Sequence, residues 1–121
     1  MKIRCDSLDA LFSEFIRKRS NGFCERCGKY YGWERLQCCH FHGRSKRSVR
    51  FDEANACALC FGDHQYFHSR PLEFVEWFKQ RLGEQGFDLL NSRARTPARY
   101  LDKAAITLYL KEEIKKLELE R

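Results

Sequence analysis

The chain has 121 residues and a formal net charge of +6, with 43% hydrophobic and 33% charged residues. Its length suits one domain with a modest core, and its hydrophobic content excludes an intrinsically disordered chain. The basic charge, with a pI near 9.0, favours a polyanionic partner.

Cysteine is frequent, since 7 of the 121 residues are of this type. Two pairs have the C-x-x-C spacing typical of metal ligands, and the odd total disfavours a disulfide scaffold. The chain opens M-K-I-R-C-D without the apolar stretch of a signal peptide, so we expect a reduced, cytoplasmic location. No apolar run approaches the roughly 18 residues of a membrane span, so no membrane partner is expected.

The first half of the chain predicts one helix and two strands. Apolar residues at i, i+3, i+4, i+7 and i+8 predict a helix at Ser7–Arg19. A tight turn with the first C-x-x-C pair follows, and residues 35–41 are typical of a strand leading into His40. Residues 43–50 (G-R-S-K-R-S-V-R) are polar and basic and predict a loop, whereas residues 55–60 are apolar and predict a second strand.

The second half predicts helices. Asp63 can cap a short helical segment, which Pro71 should end. A helix at residues 72–82 follows, and a long amphipathic helix is predicted at residues 98–118. The inward face of the 72–82 helix is predicted to consist of Leu72, Val75, Phe78 and Leu82. The long C-terminal helix could pair with its counterpart in a homodimer.

These elements predict a single α+β domain over residues 1–121. Its core is a strand–loop–strand–helix unit at about residues 35–70, the ββα arrangement. A metal-binding knuckle is expected from residues 24–27 and 60–63, and residues 71–121 form a C-terminal helical extension.

Three histidines and one asparagine follow the spacing H-x14-N-x8-H-x3-H, at His40, Asn55, His64 and His68. A histidine with a pKa near neutrality can take a proton from water, and a divalent cation can neutralise charge on a phosphate. Because residues four apart share one face of a helix, His64 and His68 can bind one cation. Asn55 does not titrate, so we expect it to hold His40 in its working orientation.

This segment resembles the HNH (His-Me finger, ββα-metal) endonuclease superfamily. The histidine spacing is similar to that of the colicin DNases. The motifs C-E-R-C-G at residues 24–28, C-H-F at 39–41 and R-F-D-E-A-N at 50–55 resemble the phage NinG/Rap-type recombination nucleases. The likeness covers roughly residues 23–85. It implies that His40 is the general base, Asn55 the positioning residue, His64 a metal ligand and His68 an additional ligand.

The residue before the presumed base departs from the superfamily pattern. Many HNH enzymes carry Asp or His there as a metal ligand, whereas this chain has Cys39. A thiolate suits Zn²⁺, Ni²⁺ or Co²⁺ better than Mg²⁺. Cys39 is therefore a candidate ligand or a bystander, and the catalytic cation is left open among Mg²⁺, Mn²⁺, Ni²⁺ and Zn²⁺.

The resemblance also implies a structural Zn²⁺ held by Cys24, Cys27 and Cys60, with Asp63 where related proteins have a fourth cysteine. An aspartate oxygen is an allowed zinc ligand. Cys57 is the alternative fourth ligand, although on a strand it should point away from Cys60. A third possibility is that His64 completes this site.

The loop between His40 and Asn55 carries four basic residues, Arg44, Lys46, Arg47 and Arg50. We expect them to bind the DNA backbone with little base specificity. The residues and the resemblance together predict a metal-dependent DNA endonuclease. The resemblance implies a phage or bacterial protein that acts in the bacterial cytoplasm in DNA recombination, processing or packaging. The alternative is a non-catalytic zinc-knuckle module that binds nucleic acid.

Overall fold

The computed structural model describes residues 4–98 and 100–120. Over these ranges the chain forms four α-helices and two strands, which confirms the α+β class. They are α1 (Ser7–Arg19), β1 (Gln37–His40), β2 (Ala56–Leu59), α2 (Phe61–His68), α3 (Pro71–Arg95) and α4 (Lys103–Leu119). Short 3₁₀ turns lie at Trp33–Arg35, Arg47–Val49 and Glu53–Asn55. Both strands are shorter than predicted.

The two strands pair antiparallel, with Cys39 opposite Cys57 and His40 opposite Ala56. All four residues of β2 are buried. Both α1 and α2 pack against the strands. Because side chains alternate along a strand, neighbours on β1 face different helices. The ring of His40 lies 5.6 Å from that of Phe12 on α1, whereas the thiol of Cys39 contacts His64 on α2.

Helix α1 begins and ends where the sequence predicts. Asp6 and Asp9 form a capping box, in which each side chain accepts a hydrogen bond of 2.9 Å from the backbone N–H of the other. Its apolar face, Leu8, Phe12, Phe15 and Ile16, is buried in the core. This helix packs against both strands and against α4, so it fixes the position of the sheet.

Helix α3 differs from its prediction. It continues to Arg95 past a kink at Gly83, whose φ of 80° and ψ of 160° are not helical. The predicted inward residues Leu72 and Val75 are 83% and 37% exposed, so that part of the prediction is wrong. Phe78 is buried as predicted. Phe74 takes the inward position in place of Leu72 and Val75, because Phe74 and Phe78 join an aromatic cluster with Phe41 and Phe67.

Helix α4 begins at Lys103 and not at residue 98 as predicted. The start lies later because Asp102 supplies the N-terminal cap, its side chain accepting a hydrogen bond of 3.0 Å from the backbone N–H of Ala105. Leu110 and Ile114 bury its apolar face. Within the described ranges, none of the helices combines the length and the apolar character that crossing a membrane requires.

Candidate functional site

The first C-x-x-C pair lies on a tight turn between α1 and β1. The backbone N–H of Cys24 donates to the carbonyl of Lys29, and that of Gly28 donates to the carbonyl of Cys24, both at 3.0 Å. Gly28 has a φ of +75°, which a residue with a side chain rarely adopts. The turn closes with a bridge between Phe23 and Tyr30 and brings both thiols to one side.

Four donor groups converge beside this turn. One ligand atom each from Cys24, Cys27, Cys60 and Asp63 lies within 4.8 Å of all the others. Cys60 is the N-terminal cap of α2, and its sulfur accepts a hydrogen bond of 3.4 Å from the backbone N–H of Asp63. Asp63 is therefore not the helix cap that the sequence predicts. Three soft sulfur donors and one oxygen are a set that can hold a metal ion.

The carboxylate of Asp63 is buried and uses both oxygens. Its Oδ2 accepts from the thiols of Cys24 at 3.1 Å and Cys60 at 3.4 Å, and its Oδ1 accepts from Arg26 at 2.6 Å. Burial alone would raise the pKa of Asp63, but the hydrogen bonds from Cys24, Arg26 and the other two cysteines outweigh it and lower the pKa. Burial raises the pKa of Cys24 to about 12.

The alternative fourth ligands lie elsewhere. Cys57 is fully buried on β2, where it pairs across the sheet with Cys39, and it is not among the four converging groups. Its hydrogen bond to Cys39, together with burial, raises its pKa. His64 does not join the group either, because its Nδ1 lies 2.6 Å from Oε1 of Gln37.

A separate cavity of about 230 Å³ lies where β1 meets α2 and the start of α3. Its wall includes four residues that the sequence selects, Cys39, His40, His64 and His68, together with the apolar rings of Phe67 and Phe74. The fold thus brings two segments that are more than 20 residues apart in the chain to one small opening.

His40 is held from one side of its ring. It hydrogen-bonds the backbone of Arg50, while its Nε2 is buried and has no hydrogen-bond partner within residues 4–98 and 100–120. Burial lowers the pKa of His40 below its usual value. The ring is therefore neutral near pH 7, and its buried Nε2 is unprotonated. A neutral imidazole is the state that a general base requires.

Asn55 is fully buried and holds the segment that follows His40. Its Oδ1 accepts from the backbone N–H of His42 at 2.8 Å, and its Nδ2 donates to the carbonyls of His42 at 2.9 Å and Val49 at 3.1 Å. Its own carbonyl accepts from the backbone N–H of Phe41 at 2.8 Å. These bonds fix the ends of the basic loop relative to β1.

His64 and Cys39 form a contact at the cavity wall. Because Oε1 of Gln37 can only accept, Nδ1 of His64 carries a proton, and Nε2 is the nitrogen left to face Cys39 or a cation. A hydrogen bond from Cys57 has the largest effect on Cys39, and together with the contact with His64 it outweighs burial and lowers the pKa of Cys39 to about 6. The contact with Cys39 raises the pKa of His64. Cys39 is therefore mostly a thiolate at neutral pH.

His68 lies at the exposed end of α2. It lines the cavity. Its ring nitrogens, those of His64 and the thiol of Cys39 do not lie as close together as the four donor atoms of the cysteine group. In the part of the chain that the structure describes, no second set of three Cys, His or acidic donors meets the spacing of the first. The structure brings Cys39, His64 and His68 to one cavity without closing them around a point.

The four basic residues of the loop divide into two pairs. Arg50 makes a two-pronged ion pair with the buried Asp9, at 3.0 Å and 2.5 Å, and Arg44 lies 3.7 Å from the same carboxylate. Lys46 and Arg47 are exposed, and they line an open groove together with Arg95. Within the predicted set, Lys46 and Arg47 are the residues best placed to meet a polyanion.

Sequence reasoning missed Arg26, Gln37 and Asp9. Gln37 lies two residues before Cys39 on β1, and this spacing, which puts both on one face, was the available signal. For Asp9 the signal was an acid on the buried face of α1. Arg26 stands inside the C-x-x-C pair, but nothing in the sequence indicates its contact with Asp63.

No protein-family model, curated protein or solved structure matches this chain.

Proposed function

We propose that the protein is a metal-dependent endonuclease that hydrolyses phosphodiester bonds in DNA. The observation that carries this proposal is the cavity that collects His40, Cys39, His64 and His68, with Asn55 holding the adjoining loop. On this proposal the two strands and α2 are a ββα-metal core of the His-Me finger type, which the order of these residues along the chain resembles.

His40 acts as the general base. Its neutral ring takes a proton from a water molecule, which then attacks the phosphorus. The bond to the backbone of Arg50 keeps the ring from turning. Asn55 positions His40 indirectly. Its hydrogen bonds to His42 and Val49 fix both ends of the loop that directly follows His40.

His64, His68 and Cys39 are the residues that would hold the catalytic cation. A divalent cation bound there would neutralise charge on the phosphoryl oxygens and stabilise the leaving 3′-oxygen. Two imidazoles and a thiolate favour a transition-metal ion over Mg²⁺, which prefers oxygen ligands. Gln37 orients His64 so that Nε2 is its ligand atom.

The group of Cys24, Cys27, Cys60 and Asp63 serves as a structural zinc site in this proposal. Tetrahedral sites of three or four sulfur donors are typical of structural Zn²⁺. The group joins the turn after α1 to the start of α2, the helix that carries His64 and His68. Zinc would thus set the position of the catalytic helix relative to the rest of the domain.

DNA is the proposed substrate because the chain is basic and exposes Lys46 and Arg47 on the loop between His40 and Asn55. Side chains of this type bind phosphates without reading bases. We therefore propose a nuclease with low sequence specificity that acts in DNA recombination, processing or packaging.

One observation favours a second candidate function. The donors of the cysteine group converge, whereas those of Cys39, His64 and His68 do not. A zinc-knuckle module that binds nucleic acid without cutting it needs only the first group and the basic surface.

Nicking of supercoiled plasmid by the intact protein separates the two functions. The assay compares Mg²⁺, Mn²⁺, Ni²⁺ and Zn²⁺ with EDTA, and plasmid binding is measured in parallel by gel shift. Cation-dependent nicking, strongest with a transition metal, supports the endonuclease. Retained binding with no nicking under any cation supports the zinc-knuckle module.

A further inference from the structure

We propose that Arg26 is a positioning residue that makes Asp63 the oxygen ligand of a three-cysteine, one-aspartate zinc centre. The inference rests on the metal-centre part of the proposed function and is independent of the nuclease activity. It assigns a role to an arginine inside the C-E-R-C motif whose partner lies 37 residues away in the sequence.

The two oxygens of Asp63 face different partners. Oδ2 lies against the sulfurs of Cys24 and Cys60, at 3.1 Å and 3.4 Å. Oδ1 is 2.6 Å from Nη1 of Arg26. Oδ2 is therefore the oxygen that faces the cysteine group, while Oδ1 is hydrogen-bonded to Arg26. Arg26 therefore determines which oxygen faces the zinc site and excludes binding through both.

Arg26 is itself held in place by aromatic rings. Its guanidinium lies 4.1 Å from the ring centre of Tyr66 and 5.0 Å from that of Phe67, both on α2. Stacking on an aromatic face suits the planar guanidinium and limits its rotation. The arginine thus holds the carboxylate in its ligand orientation before any metal binds.

Charge supplies a second reason for an arginine at this position. Three thiolates and one carboxylate carry about four negative charges, of which Zn²⁺ neutralises two. A fixed guanidinium at Oδ1 removes one more and lowers the repulsion among the ligands. Arg26 also links the C-x-x-C turn to α2, because its neighbours Cys24 and Cys27 belong to the turn and Asp63 to the helix.

Arg26 and Asp63 are therefore a matched pair. A cysteine at position 63 would offer a single sulfur and leave no second atom for the guanidinium to hold. The proposal predicts that Arg26 is important when position 63 is aspartate and dispensable when it is cysteine. If Arg26 acted only through its overall charge or its packing, Arg26→Ala would weaken zinc binding equally whether position 63 is aspartate or cysteine.

The test measures zinc affinity of the full chain by competition with a chromophoric chelator, together with the absorption spectrum of the Co²⁺-loaded protein. Arg70→Ala is the matched control, since the guanidinium of Arg70 lies 4.0 Å from the centre of the Tyr66 ring and donates a hydrogen bond to Ser69. We expect Arg26→Ala to weaken zinc binding about 10- to 100-fold and to alter the Co²⁺ spectrum. Arg26→Lys, which restores the charge, should recover part of the loss, and Arg70→Ala should match the wild type.

In an Asp63→Cys background, adding Arg26→Ala should change zinc affinity less than about threefold, because the matched interaction is already gone. Equal effects of Arg26→Ala in both backgrounds, or no difference between Arg26→Ala and Arg70→Ala, overturn the role of Arg26 alone. A wild-type protein that binds no zinc overturns the metal centre itself. Loss of plasmid nicking with zinc binding intact contradicts only the nuclease.

Discussion

Asn55 and His42 are joined by two hydrogen bonds that run in opposite directions. The backbone N–H of His42 donates to Oδ1 of Asn55 at 2.8 Å, and Nδ2 of Asn55 donates back to the carbonyl of His42 at 2.9 Å. The side chain thus replaces a missing strand partner at the point where β1 ends. The backbone beyond His40, at the start of the basic loop, is therefore held by hydrogen bonds as it would be in a strand.

Replacing Asn55 with alanine should destabilise the fold by roughly 2–4 kcal/mol, because three buried or partly buried backbone groups of His42 and Val49 lose their partner. Asn55→Asp should be no better at pH 7, since a carboxylate cannot donate to the two carbonyls and would be buried. Urea unfolding measures both. Asn91→Ala is the control, because it removes only the bond to the ring of His42 and should cost under about 1.5 kcal/mol. An Asn55→Ala protein within 1 kcal/mol of wild type would contradict this role.

Two arginines of the basic loop, Arg44 and Arg50, should stabilise the fold, whereas Lys46 and Arg47 should bind DNA. Arg50→Ala leaves the buried carboxylate of Asp9 with only part of its compensation, so we expect a loss of about 3 kcal/mol in the free energy of unfolding. Lys46→Ala with Arg47→Ala should leave stability within about 0.5 kcal/mol of wild type, because both side chains are exposed. Chemical denaturation of the two variants provides the comparison.

The same double variant should weaken DNA binding and reduce its dependence on salt. Each lost phosphate contact lowers the slope of log affinity against log salt by about 0.9, so the two together should lower it by about 1.8. Fluorescence anisotropy with a labelled duplex at several salt concentrations gives the slope. Lys115→Ala with Lys116→Ala, on α4, removes equal charge away from the loop. Equal slopes for the two double variants would show that the loop makes no special contact with DNA.

The fourth zinc ligand can be identified by metal content. Asp63→Ala should lose tightly bound zinc during gel filtration in EDTA, because it removes one of four converging donors. Cys57→Ala should keep it, because Cys57 lies against Cys39 and outside that group. The reverse outcome would assign the site to four cysteines.

Cys39 should titrate near pH 6, well below the value near 8.5 of an exposed thiol. The hydrogen bond from Cys57 and the contact with His64 both stabilise its thiolate, so the anion is present above pH 6 and protonated below it. The difference in thiolate absorbance at 240 nm between wild type and Cys39→Ser isolates this group, with each protein holding one zinc per chain so that only the cysteine group is filled. A midpoint above about pH 8 would contradict the assignment.

Local signals explain why some elements could be predicted to the residue. The bounds of α1 follow from its cap at Asp6 and from the left-handed residues Asn21 and Gly22 beyond its end. The break before α3 follows from Pro71, which cannot continue the preceding helix. The order of His40, Asn55 and His64 along the chain also indicated a common site, and His40 and His64 do lie on the wall of one cavity.

Tertiary contacts explain what the sequence could not predict. Arg50 is turned away from solvent by Asp9, which lies 41 residues earlier, so a basic loop that looks uniform has two different halves. Leu72 and Val75 fit the inward face around Phe78 as well as Phe74 does, and only the aromatic cluster around Phe41 favours Phe74. The late start of α4 depends on the cap that Asp102 supplies, whereas the apolar pattern alone allows the predicted start at residue 98.

The initial rate of plasmid nicking by His40→Ala tests the central claim most directly. The comparison includes wild type and His42→Ala, a histidine two residues away whose ring bonds Asn91. We predict that His40→Ala lowers the rate at least about 100-fold, whereas His42→Ala stays within a few-fold of wild type, with all three proteins folded by circular dichroism. A His40→Ala protein that nicks as fast as wild type, or a wild type that nicks with no divalent cation, would contradict the account.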